Sequence, residues 1–148
     1  MSLWRNVATR WAAPASCSGL LLMALTGCGS ASVKTYPVKA KVEVKDGDVA
    51  LLKGSHVELM HESQPEMHPS GKIQPGGGFV IETLHQGKIL PGAPEGKYRV
   101  RIILGDESDE GVPKRKGDPI HKRFLAFETS GLSLTVPSGD YTIAVSKK

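Results

Sequence analysis

The sequence of 148 residues has few of the features that mark an enzyme or a disulfide-rich domain. It contains only two cysteines, Cys17 and Cys28, so a framework of several disulfides is excluded. It holds no Gly-x-Ser-x-Gly nucleophile motif, no His-Glu-x-x-His pair and no His-x-x-Glu pair of zinc ligands. Because these signatures of hydrolases and metallopeptidases are missing, we expect a non-catalytic protein without a cofactor.

The sequence also lacks a strong excess of either charge. Its 19 basic and 15 acidic residues give a formal net charge of +4. Arg5 and Arg10 lie in the first 27 residues, which hold no acidic residue, so the remaining 17 basic residues face 15 acidic ones. Charges of both signs alternate there, and such a weak field gives no reason to expect a nucleic acid partner.

No apolar run is long enough to cross a membrane. Residues 11–25 are apolar apart from small serines and one cysteine, whereas a transmembrane helix needs about 20 apolar residues. The polar, arginine-containing residues 1–10, this apolar run and the small residues after it follow the order of a secretory signal peptide. We therefore predict that residues 1–27 are a signal peptide that is removed on export.

Cys28 has four candidate roles, as a disulfide partner, a metal ligand, a catalytic thiol or a lipid attachment site. The stretch LTGC, which ends at Cys28, resembles the lipobox of bacterial lipoproteins. In proteins with that motif, the cysteine sulfur is acylated and the cysteine becomes the first residue of the mature chain. The resemblance implies that Cys17 leaves with the signal and that Cys28 carries the lipid. Residues 28–35 then form a tether to the inner or outer membrane of the cell envelope.

The mature chain shows the alternation of apolar and polar residues that is typical of half-buried strands. Strands are predicted at residues 36–44, 56–62, 79–84, 97–104, 132–136 and 141–145. The last two are predicted to form a hairpin around residues 137–139. Residues 120–128 are a candidate for a further short strand, as is Ile73 within the predicted loop 64–78. Residues 85–96 are predicted as loop, and the charged residues 105–119 as a mobile surface loop.

No helix is predicted after residue 28, and one-sided alternation indicates antiparallel sheets that each bury one face. Two such sheets packed together make a β-sandwich. For residues 36–148 we predict an all-β domain, an antiparallel Greek-key β-sandwich of about seven strands with transthyretin-like or immunoglobulin-like topology. A lipoprotein signal peptide precedes this domain.

Several motifs occur in the order found in bacterial lipoproteins with a carboxypeptidase-regulatory-like, transthyretin-like domain, which the chain resembles. The motifs are YPVKAKVEV with DGDVALLKGSHVEL, then GGFVIET, GAPEGKYRVRI, IHKRF and TSGLSLTV. They include a glycine-x-phenylalanine step at Gly77 and Phe79, and a proline-x-glycine-x-tyrosine step at Pro94, Gly96 and Tyr98. Gln74 replaces the aspartate that the family usually carries before the first step. The resemblance implies a non-catalytic accessory module but no substrate. For a module anchored in this way we expect a binding or structural role, with an unidentified envelope protein or polymer as its partner.

The alternative is an exported copper- or zinc-binding protein. Met-His occurs twice, at Met60-His61 and Met67-His68, and thioether and imidazole groups suit copper. Neighbouring residues of a strand point to opposite faces, so Met60 and His61 are not expected to share a metal ion. We expect His61 to be a partly buried, hydrogen-bonded core residue and His68 to be solvated, and we assign no metal ligand.

Three basic residues, Lys97, Arg99 and Arg101, share one face of a predicted strand. Such a row suits the binding of an anionic polymer or of lipid head groups. It is also what the solvated face of a sheet commonly looks like. We expect the second interpretation to apply.

Overall fold

The computed structural model describes residues 33–137 and 139–148. The predicted signal peptide at residues 1–27, the predicted lipid attachment residue Cys28 and most of the predicted tether lie outside this range. Among the described residues, no helix is long and apolar enough to cross a membrane.

Strands dominate the described residues, which confirms the prediction of an all-β domain. Within residues 33–137 and 139–148 the strands are β1 Thr35–Tyr36, β2 Lys39–Lys45, β3 His56–His61, β4 Ser70–Lys72, β5 Gly78–Val80, β6 Glu82–His85, β7 Lys88–Pro91, β8 Ala93–Pro94, β9 Gly96–Ile103, β10 Leu132–Val136 and β11 Tyr141–Ser146. The helices there are the 3₁₀ helices Val49–Leu52 and Lys122–Leu125 and the single-turn α1 Phe127–Ser130. The described residues contain more strands than predicted, because segments that lack alternation, such as residues 85–96, contain short strands.

The strands form one six-stranded sheet, one three-stranded sheet and one isolated pair. The orders are β10-β9-β3-β4-β6-β7, β11-β2-β5 and β1-β8. The prediction of antiparallel sheets holds for every described pair except β11 and β2, which run parallel with Tyr141 beside Ala40. Alternation is the same in parallel and antiparallel strands, so the sequence pattern does not distinguish the two directions.

The predicted hairpin of the last two strands is wrong. Strand β10 pairs with β9 in the six-stranded sheet, while β11 pairs with β2 in the three-stranded sheet. The turn around Pro137 therefore carries the chain from one sheet to the other. The two strands do present their apolar residues to the core as predicted, with Leu134 and Ile143 each 2% exposed.

The segment predicted as one strand at residues 79–84 also divides between the sheets. Strand β5 belongs to the three-stranded sheet and β6 to the six-stranded sheet. Ile81 lies at the crossing and is completely buried. Its N–H donates to the Val38 carbonyl at 3.1 Å, and its carbonyl accepts from the Gly92 N–H at 2.8 Å. Ile81 thus links strands of both sheets.

The candidate strand at residues 120–128 is helical instead. The His121 side chain accepts a hydrogen bond from the Arg123 N–H at 3.1 Å and caps the 3₁₀ helix Lys122–Leu125. Phe124 on that helix is 1% exposed, and Ile120 before it is completely buried. Phe124 reaches the core from a helical turn and Ile120 from the bend before it, so their burial does not require a strand.

One hydrophobic core joins the two larger sheets. The three-stranded sheet contributes Val42, Phe79, Ile143 and Val145, and the six-stranded sheet contributes Val57, Leu59, Tyr98, Val100, Ile102, Leu134 and Val136. Sheets that bury one face each against a shared core give the domain a sandwich-like character. Residues 33–148 contain no cysteine, so packing of this core replaces disulfides as the main source of stability.

The two ends of the sheets carry different segments of the chain. At one end, which we call the N-proximal end, β1 pairs with β8, and His61, Gly96 and Val136 mark the ends of their strands. The other end, the distal end, carries three loops at residues 46–55, 73–77 and 104–119.

Candidate functional site

Cys28, the residue predicted to carry lipid, lies outside the described residues, as do residues 1–27. The described part of the chain places the other candidates of the sequence analysis, which are the Met-His pairs, the basic row and the charged loop.

His61 is a core residue whose two ring nitrogens both have hydrogen-bond partners. The side chain is buried, with the residue 8% exposed. Its Nε2 donates to the Glu95 carbonyl at 3.1 Å, because Nδ1 accepts from the Ser63 N–H at 3.0 Å. The edge of the ring meets Tyr98 at a centroid distance of 4.8 Å. The prediction of a buried, hydrogen-bonded histidine is confirmed, and metal binding requires the loss of at least one of the two bonds.

Met60 points to the face of the sheet opposite to His61. Strand β3 alternates between partly exposed and buried residues, with Met60 in the partly exposed set. Among the described residues, no three His, Cys, Asp or Glu side chains are close enough together to hold a metal ion.

His68 belongs to a polar cluster on the outer face of the six-stranded sheet. Its Nδ1 lies 3.1 Å from Glu58 Oε1, although the side chain is 38% exposed. Glu58 Oε2 accepts a hydrogen bond from Arg101 Nε at 2.5 Å. The guanidinium of Arg101 stacks 4.6 Å from the ring centre of Phe127, and the His68 ring lies 5.9 Å from the same ring. The exposure of His68 matches the prediction, but its contact with Glu58 was not predicted.

The three basic residues of β9 therefore have different environments. Arg101 pairs with Glu58 and stacks on Phe127, whereas Lys97 and Arg99 are exposed. Arg99 lies opposite Met60 and Ser133, and Lys97 lies opposite Thr135. The prediction of a solvated row is confirmed for two of the three residues. Phe127 is far from Arg101 in sequence, so no local pattern indicated this contact.

The charged loop at residues 104–119 is held by one buried arginine. The Arg115 side chain is 5% exposed, and its Nε donates to Glu107 Oε1 at 3.1 Å. Its Nη2 donates to the Gly105 carbonyl, while Nη1 is buried and has no partner in the described residues. Arg115 therefore holds the start of the loop to its later part. The run of charges in the sequence does not predict this buried contact.

Asp106 organises the start of the same loop. Its Oδ1 accepts from the Ser108 N–H at 2.9 Å and from the Ser108 hydroxyl at 2.8 Å. These two hydrogen bonds lower the pKa of the Asp106 carboxyl, and the nearby Arg115 lowers it further. The carboxylate form of Asp106 thus supports the turn that leads to Glu107.

The surface of the described domain has open cavities, of which two concern the candidate loops and strand β5. One, of about 250 Å³, lies at the distal end between the loops, with Lys53, Gln74, Glu110 and Val112 among its lining residues. A larger groove of about 460 Å³ lies beside β5 and has Lys39, Lys72, Glu82 and Phe79 along its walls. Both cavities mix charged and apolar groups, which suits the docking of a partner surface.

No family model, curated protein or solved structure matches this chain. The family resemblance therefore depends on the motifs themselves, and the proline-x-glycine-x-tyrosine motif has a clear structural role. The Tyr98 hydroxyl donates to the Pro94 carbonyl at 2.8 Å, with Tyr98 completely buried. Gly96 has φ of +152°, and a Cβ at this position meets the His61 ring. The motif residues, together with His61, build one corner of the core at the N-proximal end.

Proposed function

We propose that this protein is a bacterial lipoprotein held at a cell-envelope membrane by lipid on Cys28. Its domain is a non-catalytic binding or structural module outside the cytoplasm. The observation that carries the proposal is the order of a basic start, an apolar run, the LTGC stretch and a polar tether in residues 1–35. The first described strand begins at Thr35, where this tether ends.

The energetics of lipid anchoring support one fixed attachment point. Each buried methylene of an acyl chain contributes about 0.8 kcal/mol, so one chain binds a membrane only marginally and two or more hold it stably. Lipoproteins with this motif carry acyl chains on the cysteine sulfur and usually on the new amino group. Cys28 modified in this way holds the domain without any transmembrane helix.

The proposal includes a Greek-key, transthyretin-like topology for the domain. Two features support it. The chain crosses between the two larger sheets after β5 and again after β10. The bond from the Tyr98 hydroxyl to a carbonyl four residues upstream is also the arrangement called a tyrosine corner in Greek-key sandwiches.

The distal loops are the surface that we propose for partner binding. Loops on a rigid β-scaffold commonly carry recognition, and these three loops project from the end of the sheets opposite to the tether. The cavity among them has both a lysine and a glutamate in its lining, Lys53 and Glu110. An envelope protein or polymer with polar groups of both signs fits this composition.

The lipid anchor is tested by metabolic labelling with a radioactive or clickable palmitate in the bacterial host. We expect label on the wild type and none on Cys28→Ser, with a loss of the variant from the membrane fraction. Cys17→Ser is the matched control, because Cys17 is the only other thiol, and we expect it to keep the label. Equal labelling of Cys28→Ser and the wild type contradicts the proposal.

A further inference from the structure

We propose that the tip of the β6–β7 hairpin is a second membrane contact of the lipidated protein. The hairpin tip comprises residues 84–89, from Leu84 on β6 through the turn at Gln86-Gly87 to Ile89 on β7. This inference rests on the proposed function, because it takes the bilayer that holds Cys28 as the surface that covers the tip.

The first argument is the exposure of two large apolar side chains at the tip. Leu84 and Ile89 lie directly opposite each other across the hairpin and are 72% and 68% exposed. They are the two most exposed large hydrophobic residues of the described chain. Cross-strand neighbours of this kind form one continuous apolar patch.

The second argument is the direction in which the hairpin points. Strand β5 runs antiparallel to β2, and the Ile81 N–H still bonds to the Val38 carbonyl where β5 ends. Strand β6 continues from Ile81 and therefore runs toward the end of the domain where β1 begins. The base of the hairpin is fixed there, since Gly92 packs directly against the Tyr36 carbonyl. The turn at Gln86-Gly87 thus projects on the N-proximal side.

The third argument is the length of chain that separates this end from the proposed anchor. Tyr36 follows Cys28 by eight positions along the chain, a stretch that at full extension spans at most about 28 Å. Gly92 follows Gly87 by five positions, a rise of about 16 Å along a strand. The tip therefore projects over more than half of the greatest distance that the tether allows, toward the bilayer.

The side chains around the patch are those of an interfacial segment. Lys88 is exposed between the turn and Ile89, and Gln86 is exposed in the turn. Lysine and polar turn residues remain at the head groups while apolar neighbours enter the acyl boundary. Acidic residues also lie at this end, among them Glu62 and Glu95, so we assign the contact to the apolar pair and not to charge.

The experiment uses the full lipidated protein in vesicles of phosphatidylethanolamine and phosphatidylglycerol. Lys88→Cys receives an environment-sensitive fluorophore, and Lys116→Cys in the distal loop receives the same label as a control. The acylated Cys28 does not react with the label. We expect a blue-shifted emission at position 88 that nitroxide lipids quench, and a water-like, unquenched emission at position 116.

The substitution Leu84→Ser with Ile89→Ser, made in the Lys88→Cys background, is expected to abolish both the shift and the quenching. Ile103→Ser is the matched control, since Ile103 is also an exposed strand residue, at 41%, but lies near the distal end. We expect this control to keep the shift at position 88. All four positions are exposed, so thermal melting of each variant is expected to match the parent.

If Cys28 carries the palmitate label, the anchor is supported, and two outcomes of the fluorescence experiment would then still contradict the hairpin contact. One is the same water-like emission at positions 88 and 116. The other is a blue shift of the emission at position 88 that increases with the density of protein on the vesicles but is not accompanied by quenching from the nitroxide lipids. That result would assign the patch to a contact with a second copy of the chain. Absence of palmitate on Cys28 is a separate result that rejects the proposed function itself.

Discussion

The two ends of the domain are held together in different ways. The N-proximal corner is built from neutral groups that are buried and fully bonded, namely His61, Tyr98 and the carbonyls of Pro94 and Glu95. The distal end is held by charged side chains on loops, with Arg115 and Glu107 at the centre. The N-proximal end is the one to which the proposed tether connects, and the distal end, with its charged loops, is the one proposed to meet a partner.

The difference suggests how stability is distributed. A buried corner of neutral hydrogen bonds depends on packing and is insensitive to salt. Ion pairs near the surface weaken as ionic strength rises. We therefore expect substitutions at the N-proximal corner to destabilise the whole domain, and substitutions at the distal end to loosen the loops first.

The largest effect is expected for Gly96→Ala. A Cβ at this position overlaps the His61 ring, and the backbone has φ of +152°, which disfavours any side chain. Strain and overpacking together should lower the free energy of unfolding by about 3 kcal/mol. Urea denaturation measures this change, and Gly76→Ala at the distal end is the control.

Gly76 has open space where a Cβ would lie and no positive φ. We expect its replacement by alanine to leave the urea midpoint nearly unchanged. Equal effects of the two glycine substitutions would show that the corner is not the tightly packed region described here.

The next largest effect is expected for Tyr98→Phe. The variant leaves the Pro94 carbonyl buried without its donor, which should cost about 1–2 kcal/mol of unfolding free energy. Chemical denaturation at neutral pH measures this loss. Tyr141→Phe is the control, because the Tyr141 hydroxyl bonds to the Ser133 carbonyl at an exposed position. An unchanged midpoint for Tyr98→Phe contradicts the role assigned to the corner.

The burial of Tyr98 is also expected to make the stability of the domain depend on pH in the alkaline range. Burial raises the pKa of Tyr98 from 10.0 to about 12. Since the folded-state pKa lies above the unfolded value, its stabilising effect is complete below pH 10 and is lost as the pH rises toward 12. Stability curves measured across this range should fall less steeply for Tyr98→Phe than for the wild type. Parallel curves would show that Tyr98 ionises as freely in the fold as in the unfolded chain.

A smaller, local effect is expected for Arg115→Met. The variant loses the bonds to Glu107 and to the Gly105 carbonyl but also removes the unpartnered Nη1. These effects partly cancel, so the global loss should be about 1 kcal/mol. Hydrogen exchange should accelerate in residues 104–119 and stay unchanged around Tyr98. Acceleration throughout the domain would remove the proposed difference between the two ends.

The smallest effect is expected when copper or zinc is added. Both ring nitrogens of His61 are occupied, so its resonances in a histidine NMR spectrum should not shift at an equimolar concentration of metal. His68 is exposed, and its Nδ1 lies beside Glu58, which makes it the internal comparison. A shift of the His61 resonances would revive the metal-binding alternative.

Local patterns in the sequence predicted the faces of the strands but not their partners. Alternation correctly assigned His61 to the core and Met60 to the opposite face, because side-chain direction is a local property of a strand. The same pattern wrongly paired β10 with β11. Which strand bonds to which depends on contacts between residues far apart in the chain.

At the candidate site, contacts between residues far apart in the chain were likewise not predictable from local sequence patterns. The cluster of Glu58, Arg101 and Phe127 joins three separate segments of the chain. Arg115 belongs to a run of charges that predicts only solvation, yet its side chain is almost completely buried. The position of Tyr98 was easier to predict. A tyrosine just after a proline-x-glycine step marks the start of a strand, and this step is one of the motifs on which the resemblance depends.

The central claim is that Cys28 is the lipidated first residue of the mature protein. The most direct test is the intact mass of the protein extracted from the membranes of a bacterial host, with fragmentation of its N-terminal peptide. We predict a chain that begins at Cys28 and carries acyl groups on the sulfur and the amino group. An unmodified Cys28, or a mature chain that begins at another residue, contradicts the account.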